Sequence, residues 1–152
     1  MSRRAVLVVE DGTEYRDAFV RLGGGDASLE LLAAGDAAAA LGILAARPVD
    51  AVFLDLVFDR TPPERLVGET AALAARFDGD RERLLDHLAR NQGYYVLAAL
   101  APHLPAGVLV LLAHDFAAEP ERLAALRASV PRLDGVGEAE TATRILDRLR
   151  RG

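Results

Sequence analysis

Uninterrupted apolar runs alternate along this chain with stretches whose apolar residues recur every three or four positions. These are the patterns of buried strands and of one-sided helices respectively. Val6-Leu7-Val8-Val9 is the first run, closed by Glu10-Asp11-Gly12, and it predicts a buried parallel strand. Residues 14–22 put Tyr15, Ala18, Phe19 and Leu22 on one helical face, and Gly23-Gly24-Gly25 stops that helix. Residues 28–33 read as a second strand. Asp36 is placed to cap a helix over 37–46, which ends before Pro48. Residues 49–57 read as the third strand. Thr61-Pro62-Pro63-Glu64 then resembles a capping box with proline at the first helical position and predicts a helix to about Phe77. Asp78-Gly79-Asp80 breaks it, and Asp80 caps a further helix through Arg90. Gly93 interrupts, 94–101 is helical, and Pro102 and Pro105 end that helix. Residues 108–113 form a fourth strand, 119–129 a helix, and 133–136 a short fifth strand. Residues 140–150 close the chain as an amphipathic helix with Ala142, Ile145, Leu146 and Leu149 on one side.

Strands alternating with helices predict an α/β fold whose parallel sheet is covered on both faces. Right-handed crossovers bring the C-terminal ends of all its strands to one rim, where ligands of such sheets bind. Glu10, Asp11 and Asp55 all fall at such ends, so they are the leading chemical candidates.

Composition narrows the field. The chain has 152 residues, 51% of them hydrophobic, which suits one domain over 1–152 with a sizeable core. No apolar run is long enough to span a bilayer and no leader is evident, so a cytoplasmic protein with no membrane partner is expected. Absence of cysteine removes disulfides and thiolate metal sites. A net charge of -5 disfavours nucleic acid as a partner. All 18 basic residues are arginine, as a GC-rich genome would favour, and lysine is therefore absent from any mechanism.

Three segments in this order, VLVVEDG, VDAVFLDL and VLVLLAHDF, carry a resemblance to the receiver domain of bacterial two-component response regulators. It covers nearly the whole chain except about 59–92. The resemblance implies a flavodoxin-like three-layer sandwich with a five-stranded parallel sheet and a helical insert after the third strand. It implies Asp55 as the phosphoacceptor, since a carboxylate can take a phosphoryl group as nucleophile. It also implies Mg²⁺ held by Glu10, Asp11 and Asp55, with a histidine kinase as the donor's source. Two further features of that family are missing. The switch hydroxyl expected after the fourth strand is Leu112. The lysine expected near Asp134 or Gly135 has no counterpart, the nearest cation being Arg132, and arginine is no conservative stand-in.

Other readings are weaker. A haloacid dehalogenase-type nucleophile needs a second aspartate two residues after the first, and that residue is Val57. Gly23-Gly24-Gly25 follows a helix and is a turn rather than a phosphate loop. His114 is expected to be a solvated turn residue, His87 and His103 carry no pattern, and Arg148, Arg150 and Arg151 read as a solvated helix terminus. The insert supplies the candidate interaction surface: Leu66, Leu73, Phe77, Leu84 and Leu88, with Tyr94 and Tyr95 beyond it. The expectation is a non-enzymatic, receiver-like signalling module that works through protein contacts and without phosphorylation. The alternatives are an Mg²⁺-dependent phosphoacceptor and a homodimeric scaffold. A chain that is only this domain is expected to act on a partner.

Overall fold

Five short strands run parallel in the computed structural model, which describes residues 3–152. They are β1 (Arg4–Val9), β2 (Leu29–Ala34), β3 (Ala51–Leu54), β4 (Leu109–Leu112) and β5 (Leu133–Gly135), and they lie in the order β2-β1-β3-β4-β5. Alternation along the strands divides the core in two. Val6, Val8, Ala51, Phe53 and Leu111 face Phe19 of α1 (Glu14–Gly23) and Ile145, Leu146 and Leu149 of α7 (Ala142–Arg151). Leu7, Val9, Val52, Leu54, Val110 and Leu112 face the opposite layer. That layer is made by α2 (Ala37–Ala46), α5 (Gln92–Leu100) and α6 (Pro120–Arg127). Leu54 pairs in register with Val9 on one side and Leu112 on the other, which levels three strand ends at one rim.

Caps expected from the sequence form where the side chain can reach. Asp36 accepts from the Ala39 N–H at the start of α2, and Asp80 accepts from the Arg83 N–H at the start of α4 (Arg81–Arg90). Some boundaries differ. Strand β3 stops at Leu54, and Val57 is 41% exposed, because Asp55 N–H makes the last bond to Val9 and the chain then leaves the sheet. Leu22 is 44% exposed and does not join the core face of α1.

The helix expected from Thr61 does not form. Only a 3-10 turn, Pro63–Arg65, follows the prolines, and Leu66 is extended. The reason is a non-local competitor. Gln92 is buried, and its side-chain amide accepts from Val67 N–H at 2.8 Å and donates to Val67 C=O at 2.9 Å and to Leu88 C=O at 3.1 Å. The amide thus pairs with Val67 as a neighbouring strand would, and holds residues 66–68 out of helix. Gly68, at φ 155°, permits the turn, and a short helix α3 (Thr70–Arg76) follows.

Helices α3 and α4 pack on each other over Leu73, Leu84 and Leu88, with Leu66, Phe77 and Tyr95 against them. Two backbone bonds close the base of this insert, Phe58 N–H to Ala89 C=O and Gly93 N–H to Leu56 C=O. Gly93 lies inside α5 rather than interrupting a helix. A methyl group there would overlap the Asp55 carbonyl oxygen and stand 2.8 Å from Leu56 Cα and 3.0 Å from a Leu112 methyl. Its lack of a side chain lets α5 close onto the end of β3.

Candidate functional site

The three carboxylates picked out by the sequence do meet at the strand rim, but they are differently engaged. Glu10 is 4% exposed. Both its oxygens turn to the start of α1, accepting from Tyr15 N–H at 3.1 Å and Arg16 N–H at 2.8 Å. Those amides have no partner within the helix, and the positive end of the helix dipole favours a carboxylate there. Glu10 therefore works as a buried cap contributed from the strand.

Asp11 is half-buried and faces the segment after β3. It accepts from Arg60 N–H at 2.6 Å and, more weakly, from the Thr61 hydroxyl at 3.4 Å. The Arg60 guanidinium crosses above Gly12 and pairs with Glu14 at 2.5 Å, which holds the Glu14 carboxyl below its ordinary value. The segment containing Asp59, Arg60 and Thr61 thus lies across the acidic rim as a strap.

Asp55 follows the adjacent strand β3 and is half-buried, with one oxygen accepting from its neighbour Leu56 N–H at 2.8 Å. Burial pushes its carboxyl up to about 6, the Leu56 N–H opposes this, and Glu10, Asp11 and Glu14 add to the rise. Tyr15 is raised as well, by burial first and then by Asp55 and Glu10; its ring packs 4.4 Å from that of Phe53, tilted by 47°. Among the described residues, no group of three or more His, Asp or Glu side chains is arranged to hold a metal ion. With Glu10 spent on α1 and Asp11 on the strap, the carboxylates as placed do not fit a bound Mg²⁺.

Leu112 is fully buried and packs into the core layer containing α5. At the end of β5, the cation that arrives comes from α7. Arg148 donates to Gly135 C=O at 3.1 Å, to both oxygens of Glu140 at 2.8 Å and to Asp134 at 2.8 Å. This corrects the reading of Arg148 as a solvated terminus. Arg132, the nearest arginine in sequence, instead reaches Gly107 C=O and Gly152 C=O, far from the rim. Arg150 is also paired, with Asp26 at 3.1 Å.

His114 is not merely solvated. It contacts Glu119 at 3.2 Å and packs edge-on with Phe116 and Tyr94, and the Arg122 guanidinium lies 3.9 Å from the Tyr94 ring centre. Of the side chains expected to form an interaction surface, Leu73, Leu84 and Leu88 are buried in the insert's own small core. Leu66, Phe77 and Tyr95 are half-covered by it, and Tyr94 packs on the main core. Two short helices have no other way to bury their apolar faces, and Leu66, Phe77 and Tyr95 keep a partly exposed edge. Among the described residues, no helix is long and apolar enough to cross a membrane.

No protein-family model and no curated protein matches this sequence. Solved structures do. The chain is similar to the receiver domain of a Francisella response regulator, at 13% identity and a TM-score of 0.57 over 97% of this chain and 93% of that one. It is similar to the receiver domain of NtrX from Brucella abortus, at 19% identity and a TM-score of 0.56 over 96% and 98%. It is also similar to the BeF3-activated receiver domain of nitrogen regulatory protein C, at 17% identity and a TM-score of 0.56 over 99% and 94%. The chain has the flavodoxin-like fold of receiver domains, with a helical insert after β3.

Proposed function

We propose that the chain is a receiver-like signalling module that acts through protein–protein contacts and does not depend on phosphorylation of Asp55. The observation that carries this reading is the internal occupation of the acidic rim. Glu10 caps α1, Asp11 holds the strap through Arg60 N–H, and the position from which a hydroxyl would read a phosphate is the buried Leu112. A phosphoryl group on Asp55 would find no hydroxyl at the end of β4, where Leu112 stands, and no lysine after β5, so the route to the helices through those two positions is missing. The partner is a protein of a signalling pathway, whether a histidine kinase, a downstream protein or a second copy of the chain. The likeness to receiver domains supports that class of partner.

The test is incubation with Mg²⁺ and a small acyl-phosphate donor, read by intact mass beside Asp55→Ala. No gain is expected under conditions that phosphorylate an ordinary receiver. Gain of one phosphoryl group, lost in Asp55→Ala, would overturn the proposal and favour the phosphoacceptor reading.

A further inference from the structure

With its leucines buried, the insert turns a different surface outward. Arg76, at the end of α3, and Arg83, in the first turn of α4, converge on the ring of Phe77 from 5.4 and 5.3 Å. Some arginines hold carboxylates, as Arg47 holds Glu30 and Arg90 holds Asp86, and others, such as Arg16, Arg21 and Arg81, form no ion pair among the described residues. Arg76 and Arg83 form no ion pair among the described residues, although the chain carries more acidic residues than basic ones. Two guanidiniums gathered on one ring repel each other. Stacking on the aromatic face offsets part of that cost, and a shared counter-ion would offset the rest.

The floor beside them is built rather than loose. His87 lies 5.4 Å from the Phe77 ring. Its Nε2 is 3.1 Å from the Tyr95 hydroxyl, and its Nδ1 is 3.4 Å from the Asn91 side-chain nitrogen. Since that nitrogen can only donate, Nδ1 accepts, and the proton of the neutral ring sits on Nε2, where it is given to Tyr95. Burial, and then Arg76, lower the histidine's pKa, consistent with the neutral ring. Arg76, Arg83, Phe77, His87 and Asn91 line a depression of roughly 500 Å³. The remaining charges on its rim are the Asp86–Arg90 pair, which neutralises itself, and Glu82, which opposes an incoming anion.

We propose that Arg76, Arg83 and the Phe77–His87 floor form an oxyanion-binding site on the insert, which takes a phosphate or carboxylate group. Paired forks of N–H donors suit either ligand. The site stands on the insert's own geometry and is independent of whether Asp55 is phosphorylated.

The experiment titrates inorganic phosphate into the full ¹⁵N-labelled chain at constant ionic strength, beside Arg76→Gln/Arg83→Gln and Glu82→Gln. Saturable shifts over residues 76–91 and at the His87 ring are expected, weakened at least tenfold in the double variant and strengthened in Glu82→Gln. An unchanged far-UV circular dichroism spectrum confirms that the variants fold, and Arg83→Gln alone replaces the double variant if that one does not. A glutamate-rich peptide forms the second arm. Binding of phosphate assigns the site to a phosphoryl-bearing ligand, and binding of the peptide alone assigns it to an acidic protein segment. No saturable shift with either, shifts centred on Asp11 and Asp55, or shifts indifferent to the arginine substitutions would overturn the proposal.

Discussion

Replacing Gln92 by Met tests how the insert is held. The new side chain is nearly isosteric but apolar, so what is lost is three hydrogen bonds, two to the backbone of Val67 and one to Leu88 C=O. Net contributions of about 0.5–1.5 kcal/mol per bond give a loss of about 2–4 kcal/mol. The upper half applies if Val67 N–H and C=O stay dry, the lower half if water reaches them, since Val67 is only half-buried. In a chain of this size that lowers Tm by about 5–12 °C. Hydrogen exchange locates the effect. The Val67 amide loses its acceptor and exchanges faster, along with the amides of α3, while β1 and β3 change only as far as global stability falls. A melting temperature within about 1 °C of the parent, with Val67 protection unchanged, would refute the argument that this amide pins residues 66–68.

Three further outcomes are expected. Asp55 has a folded-state pKa of about 6, above its ordinary value of 3.8, so the folded chain binds the extra proton and stability falls as pH rises from about 4 through 6; Asp55→Asn flattens that slope in denaturant titrations and is more stable at pH 7 by about 1–2 kcal/mol, less than the full shift implies because the group is half exposed. Gly93→Ala forces α5 off the Asp55 and Leu56 backbone and costs about 1–3 kcal/mol, with amide shifts concentrated at the rim. Arg148→Met leaves Glu140, whose side chain is 12% exposed, without its partner and costs about 2–4 kcal/mol by chemical denaturation, and Arg148→Lys recovers only part because lysine cannot give the same forked contact.

The sheet was readable because its strands are buried on both faces, so that Val6-Leu7-Val8-Val9 and Ala51-Val52-Phe53-Leu54 appear as unbroken apolar runs. The acidic rim was readable for the same reason, since its carboxylates mark where those runs stop. What the carboxylates do was not. Glu10 looks like any strand-end acid until α1 docks against it, and Asp11 gains its partner from Arg60, 49 positions away. Thr61-Pro62-Pro63-Glu64 is a sound local signal for a helix start, overridden by a glutamine further along the chain. Gly93 carried a usable sign, because a glycine inside an apolar helix asks for a close approach, but only the fold names the backbone it approaches. Arg148 sits at the end of an amphipathic helix, and nothing local separates it from the exposed Arg151 one turn on.

The two bonds at the base of the insert, from Phe58 to Ala89 and from Gly93 to Leu56, bear on how the chain finds its fold. Strand β4 has to reach β3 across the whole stretch from Asp55 to Gly107, and pairing over long separations is slow. An insert that closes on itself first delivers α5 directly beside the exit of β3. Only that helix and its following turn then separate the two strands. Once closure is paid at the base, the outer part of the insert is nearly free to vary, since doubling a loop's length adds only about 0.6 kcal/mol. Helix α3 and the first turns of α4, away from Leu88 and Ala89 that hold the base, can be rewritten without the sheet registering the change, which makes this the place on the molecule where new specificity is easiest to acquire.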